Sequence, residues 1–182
     1  NLTVALILVA VSSGVALAGS PVKVTGTAPK ATRGFPSVAA LIPVGGVAEA
    51  PPEEPAVMEQ IDKEFVPGVV ITRPGQAVSF RNQEDLLHNV HVFDIESGET
   101  LLNVGQPFSG ISSELVPEAP GSYVILCDVH PEMEGYVVIV DTPFAVTADE
   151  SGTFELDAPP GDYQLVIWNV DEDKRHTESV TV

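Results

Sequence analysis

The chain has 182 residues, enough for one large or two small domains, and carries 26 acidic against 8 basic side chains, a net charge of −18. That balance excludes nucleic acid as a partner, because phosphate contacts need clustered Lys and Arg. With 44% apolar residues, 16 Pro and 15 Gly, almost no helical periodicity, and β-branched runs between turn residues, the composition points to an all-β sandwich class.

The first twenty residues carry no charge, and Leu2 to Leu17 form an apolar run ending in Ala16, Leu17 and Ala18. The run is shorter than the roughly 20 residues a membrane span wants, and Ser12, Ser13 and Gly14 break it. The expectation is a secretory signal peptide over residues 1–18, cut after Ala18, although the usual positive n-region is missing. The alternative is a short uncleaved anchor.

An alternating strand is predicted over Val22–Thr27, and a second over Ser37–Ile42. Residues 43–56 read as a linker, rich in Pro and acidic side chains after a Gly pair. A denser β region follows, with strands predicted over Val57–Ile61, Val69–Thr72, Ala77–Arg81, Asn89–Asp94, Ile111–Leu115, Ser122–Leu126 and Tyr136–Val140. Pro74-Gly75 and Pro120-Gly121 place turns just before two of them. Residues 57–141 therefore suit one small sandwich. Three further strands are predicted between Phe144 and Val182, separated by turns at 149–152 and 159–161. Alone, those 39 residues are thin for a core. The economical arrangement is one discontinuous sandwich, 22–42 plus 144–182, with the 57–141 domain inserted in it or packed on it.

Cys127 is the lone cysteine, so no intramolecular disulfide is available. Its surroundings, Cys127, His130 and Met133, place a thiolate, an imidazole and a thioether at i, i+3 and i+6 on a loop between two apolar strands. Soft sulfur combined with imidazole nitrogen selects copper over hard cations, and two His, one Cys and a weak axial Met is the ligand set of electron-transfer copper. Zinc favours four strong ligands with paired cysteines, and the chain has no CxxC. The second imidazole is assigned to His88, at the end of a polar connection. His91, three residues on, points to the opposite strand face, and His176 lies in a polar stretch far from the loop. Met58 sits in a predicted strand and reads as core.

Residues 57–141 resemble the cupredoxins, most closely the short amicyanin- and pseudoazurin-like members. The resemblance rests on Phe65-x-Pro67, on Gly75, Gln76, Val78, Phe80 and Asn82, on His88-Asn89-Val90, on Gly121-x-Tyr123, and on Cys127, His130, Met133 and Gly135. It implies a Greek-key sandwich in which His88, Cys127 and His130 bind one type 1 copper ion in a plane and Met133 is the weak axial ligand. It also implies that Asn89 hydrogen-bonds across to the ligand loop near Asp128, holding the site rigid. Glu132 and Glu134 depart from the apolar residues common in that loop. They are expected to lower the potential and to upset an apolar docking surface; a Glu oxygen is the alternative axial donor, with Met133 the favoured one. Residues 144–182 resemble carboxypeptidase regulatory-like (transthyretin-like) modules, through Phe144, Val146, Thr147, Asp149, Gly152, Phe154 and Leu156 and through Pro160, Gly161, Tyr163 and Leu165. Such a module implies scaffold rather than chemistry.

The expected function is a one-electron carrier outside the cytoplasm, periplasmic or secreted, not an enzyme. Its expected partner is a redox protein, basic in character, such as a cytochrome c or an oxidoreductase, with no membrane contact once the signal is removed. The alternative is a copper-handling protein that stores or delivers the ion, against which the scarcity of Met counts. A multicopper enzyme would need more than four His.

Overall fold

The computed structural model describes residues 10–11, 20–31, 33–46 and 49–182. The expected signal peptide falls outside them except for Ala10 and Val11. The architecture is all-β: sixteen strands and one 3-10 turn, with no α-helix among the described residues. None of the described helical segments is long and apolar enough to cross a membrane.

Two compact units are present, and the first is discontinuous: residues 1–48 with 141–182, against 49–140. In chain order the first unit begins with β1 (Ala10–Val11), β2 (Val22–Thr27) and β3 (Val38–Pro43). The second unit runs through β4 (Ala56–Ile61), β5 (Glu64–Val66), β6 (Val69–Thr72), β7 (Val78–Asn82), β8 (His88–Asp94), β9 (Thr100–Gln106), β10 (Ser112–Leu115), β11 (Gly121–Leu126) and β12 (Glu134–Ile139). The chain then completes the first unit with β13 (Ala145–Thr147), β14 (Thr153–Ala158), β15 (Asp162–Asn169) and β16 (Lys174–Thr181).

The first unit has two sheets, ordered β1-β2-β14 and β13-β3-β15-β16. Its core collects Val24, Leu41, Phe154, Leu156, Leu165 and Ile167 from the inward positions of alternating strands. Gly26 is required there: a Cβ on it would come within 2.5 Å of the Phe154 ring, which is buried.

The second unit packs a sheet ordered β10-β7-β4-β5 against one ordered β6-β12-β11-β8-β9. Val78 and Phe80 face inward from β7, Val90 and Val92 from β8, Tyr123 and Ile125 from β11, and Val137 and Ile139 from β12. The Pro-rich stretch ahead of β4 is tied to this unit. Arg73, itself buried, donates to the Glu49 and Ala50 carbonyls at 2.7 and 3.1 Å, and Gln76 Nε2 donates to the Glu54 carbonyl at 3.0 Å.

Three strands carry no strong sequence signal: β5, β9 and β16. All three are sheet edges, β5 is only three residues long, and β16 is exposed along most of its length, so none shows a clear apolar alternation.

Candidate metal centre

Strand alternation delivers the first two donor side chains. Tyr123 and Ile125 point inward from β11, and Cys127, two residues further, continues the series just past the strand end. On β8 the inward series is His88, Val90 and Val92, all fully buried. The two strands are antiparallel neighbours, Leu126 opposite His91, so the start of β8 and the end of β11 lie at one end of the sandwich. His88 and Cys127 therefore meet in the core layer although 39 residues separate them.

The remaining donors come from the loop into β12. Met133 N–H donates to the His130 carbonyl (2.9 Å), and Cys127 N–H donates to the Met133 carbonyl (3.3 Å). The loop is thus closed on itself by two backbone bonds. His130 is half-buried, while Met133 is buried in the same core cluster as Cys127.

His88 Nδ1, His130 Nδ1 and Cys127 Sγ converge. The two nitrogens are 3.1 Å apart, and the sulfur lies 3.7 Å from His130 Nδ1 and 4.0 Å from His88 Nδ1. A point equidistant from three atoms so spaced is about 2.1 Å from each, which matches ordinary metal–nitrogen lengths and is slightly short of the metal–sulfur length of about 2.3 Å. The spacing of the three donors would therefore suit a single metal ion. They are the one such His/Cys/carboxylate group found among the described residues.

Neighbouring groups fix the donors. His88 Nε2–H donates to Glu84 Oε2 at 2.9 Å, leaving Nδ1 as the bare lone pair turned toward Cys127 and His130. Glu84 also accepts the Lys63 N–H at 3.0 Å; that bond first, and the His88 imidazole after it, hold its carboxyl below the ordinary carboxylate range. Asn89 N–H points at Cys127 Sγ (3.4 Å), and Asn89 Oδ1 accepts the Asp128 N–H (2.7 Å). Asn89 Nδ2 in turn donates to Asn103 Oδ1 at 2.6 Å.

His91 points away from the three donors. Its Nδ1 donates to Asp128 Oδ1 at 3.0 Å, its Nε2 lies 3.1 Å from the Thr100 hydroxyl, and the imidazole holds the Asp128 carboxyl below its usual range. His176 belongs to the other unit, on β16. Glu134 accepts the Tyr136 hydroxyl, and Glu132 is exposed.

Two features of the site escape a reading of the sequence. Glu84 lies in a polar loop with nothing to mark it out, apart from its position four residues before His88. Around the donors, Leu86 and Leu87 precede His88, Val129 precedes His130, and Phe108 follows Gln106, the residue paired with His88; all four are exposed. Their spread over three loops hides them as a group.

No protein-family model matches the chain. Among curated proteins it is 32% identical over 108 residues to amicyanin-alpha of Methylorubrum extorquens, covering 58% of this chain and 89% of that protein. It is 26% identical over 78 residues to the methylamine utilization protein MauL of Methylophilus methylotrophus, covering 43% of this chain and less than half, 45%, of that relative's length. Among solved structures, amicyanin from Paracoccus versutus is 19% identical, covering 57% of this chain and 97% of that one with a TM-score of 0.43.

Proposed function

The chain belongs to the cupredoxin family, and on that premise we propose that it is a one-electron carrier binding one copper ion through His88 Nδ1, Cys127 Sγ and His130 Nδ1, with Met133 as the weak axial donor. The reading is carried by one observation: an imidazole–thiolate–imidazole triangle with sides of 3.1, 3.7 and 4.0 Å, built on the core side of two paired strands and a short loop. Copper, when bound, supplies the Cu(I)/Cu(II) couple. The protein's own part is to keep the donors still. Glu84 fixes the His88 ring, Asn89 ties its own strand to the Asp128 backbone, and the Cys127–Met133 backbone bond closes the loop. A donor set that relaxes little between oxidation states keeps the reorganisation on electron transfer small.

His130, the half-buried donor, is the proposed exit for the electron. Around it the exposed Leu86, Leu87, Phe108 and Val129 provide apolar contact, and Asp85, Asp128 and Glu132 provide negative charge. A redox partner with an apolar centre and a basic rim fits that surface, and its association rate would fall as salt rises. A place outside the cytoplasm follows from the same reading, together with the apolar run of residues 2–17. The first unit is assigned a scaffold role.

The test is to load the full chain with Cu(II) and record visible and EPR spectra. An intense blue thiolate-to-copper band that bleaches reversibly with reductant and is lost in Cys127→Ser supports the carrier. A colourless protein that binds Cu(I) alone would overturn it in favour of copper storage or delivery.

A further inference from the structure

Three fully buried amide side chains, Gln60, Asn82 and Gln106, lie at the donor end of the second unit. None of them can reach the donor atoms through a bond of its own, yet each is fastened to something that touches His88. Gln106 is the β9 residue paired with His88, and its backbone carbonyl accepts from Asn82 Nδ2 at 2.9 Å. Asn82 Nδ2 also donates to the Leu86 carbonyl (2.9 Å), and Asn82 Oδ1 accepts the N–H of Glu84 (2.8 Å), the residue that orients the His88 ring. Gln60, on the facing sheet, grips both sides of this arrangement. Its Nε2 donates to Gln106 Oε1 at 2.8 Å, and its backbone carbonyl accepts the Gln83 N–H at 3.1 Å.

The amide orientations are forced. Gln106 Nε2 faces the Phe80 carbonyl (3.0 Å) and the Ser113 hydroxyl (3.2 Å), so its oxygen must face Gln60, and Gln60 must present its nitrogen. Gln60 Oε1 is then left buried without a partner. An orphaned buried acceptor is destabilising, and only replacing both Gln60 and Gln106 by apolar side chains of the same shape would avoid that cost. A buried amide kept under those terms calls for an explanation other than stability.

We infer that Gln60, through its bond to Gln106, is a positioning residue for His88: it locks the β8–β9 end and the 83–87 loop to the opposite sheet, so that the ring held by Glu84 keeps one orientation toward Cys127 and His130. The inference rests on the copper reading above.

The decisive variant is Gln60→Met, which keeps the side-chain length and removes the donor. Its count of orphaned acceptors does not change, because Gln60 Oε1 disappears and Gln106 Oε1 takes its place. The thermal midpoint of the metal-free chain should therefore stay near that of the wild type. Cu(II) affinity, measured by competition with a chelator, should weaken about tenfold, as for other losses in the support of a metal ligand, and the Cu(II) EPR hyperfine splitting should change. Ser113→Ala, a mild change at the far end of the same amide chain, should move both readouts in the same direction by less. Gln60→Met with wild-type affinity and an unchanged EPR spectrum overturns the inference; should that variant not fold, unchanged affinity and spectrum in Ser113→Ala overturn it. If the wild type forms no coloured Cu(II) complex, the carrier reading fails by itself. The imidazole NMR signals of metal-free protein then decide the inference, with a single His88 tautomer expected in the wild type and a mixture in Gln60→Met; the same single tautomer in both overturns it.

Discussion

Replacing Glu84 with Gln removes one negative charge beside the proposed copper site while keeping an oxygen able to accept the His88 N–H. Glu84 Oε2 is 2.9 Å from His88 Nε2, and its depressed titration keeps it ionised at neutral pH. The ring adds about 2 Å and the metal–nitrogen bond about 2 Å more, which places the carboxylate roughly 7 Å from the ion. At an effective dielectric of about 20 the charge would favour the oxidised ion by about 2.4 kcal/mol. Partial solvent exposure of the carboxylate, with 19% of its side-chain surface accessible, reduces the effect toward about 1.2 kcal/mol. For a one-electron couple, about 1.4 kcal/mol corresponds to about 59 mV. Glu84→Gln should therefore raise the reduction potential by about 50–100 mV, measured by spectroelectrochemical titration at pH 7. Glu132, exposed on the loop, should shift it less when changed to Gln, because water screens it. A Glu84→Gln potential that falls, or moves no more than that of Glu132→Gln, with the blue band intact, would refute the view that this carboxylate acts on copper through His88.

Asn89→Ala should strip the Asp128 N–H and Asn103 Oδ1 of their partner and lower the stability of the metal-free chain by about 1–3 kcal/mol, read from urea unfolding. The same variant should release copper faster, because the side-chain tie between β8 and the ligand loop is gone while only the backbone contact to Cys127 Sγ remains. Asp94 accepts the Ser97 N–H at 2.7 Å and the Ser97 hydroxyl at 2.9 Å, which hold its carboxyl below the ordinary value. A depressed folded-state value stabilises the fold above the unfolded value of about 3.9 and ceases to do so as pH falls through the folded one. The thermal midpoint of Asp94→Asn should accordingly lie below wild type at pH 6–7 and converge with it as pH falls through the depressed folded-state value; a gap that does not narrow on acidification would count against the assignment.

What could be read in the sequence follows from how local each signal is. Cys127, His130 and Met133 share one loop, so their spacing alone carries the chemistry. His88 is legible because a polar connection ends on it and strand alternation continues from it through Val90 and Val92. Glu84 is not, since its role depends on the Lys63 turn, which only the fold brings to it, and on the nearby Asn82 amide, which is itself anchored to the Gln106 carbonyl across the sandwich. Gln60 did leave a trace: it shares the inward face of β4 with Met58, and an amide at an apolar position of an alternating strand is a signal worth pursuing. β9 escaped because Asn103 and Gly105 interrupt its pattern at a sheet edge, and a register shift at Val92/Phe93 skews its pairing with β8. β16 escaped because solvent lies along most of it.

The loop carboxylates show the limit of reading one segment alone. From the sequence, Glu132 and Glu134 are alternative donors to the favoured Met133 and put an apolar surface around His130 in doubt. In the fold Glu134 takes the Tyr136 hydroxyl and Met133 is buried beside Cys127, which favours sulfur as the fourth donor. The apolar residues of the proposed docking face come chiefly from other loops: Leu86 and Leu87 from the connection into His88, Phe108 from the turn after β9, and only Val129 from the ligand loop itself. Charge and apolar contact therefore need not compete for the same positions. Glu132 can belong to an acidic rim while its neighbours across the sandwich end provide the centre, a division visible only once the strands have brought three loops together.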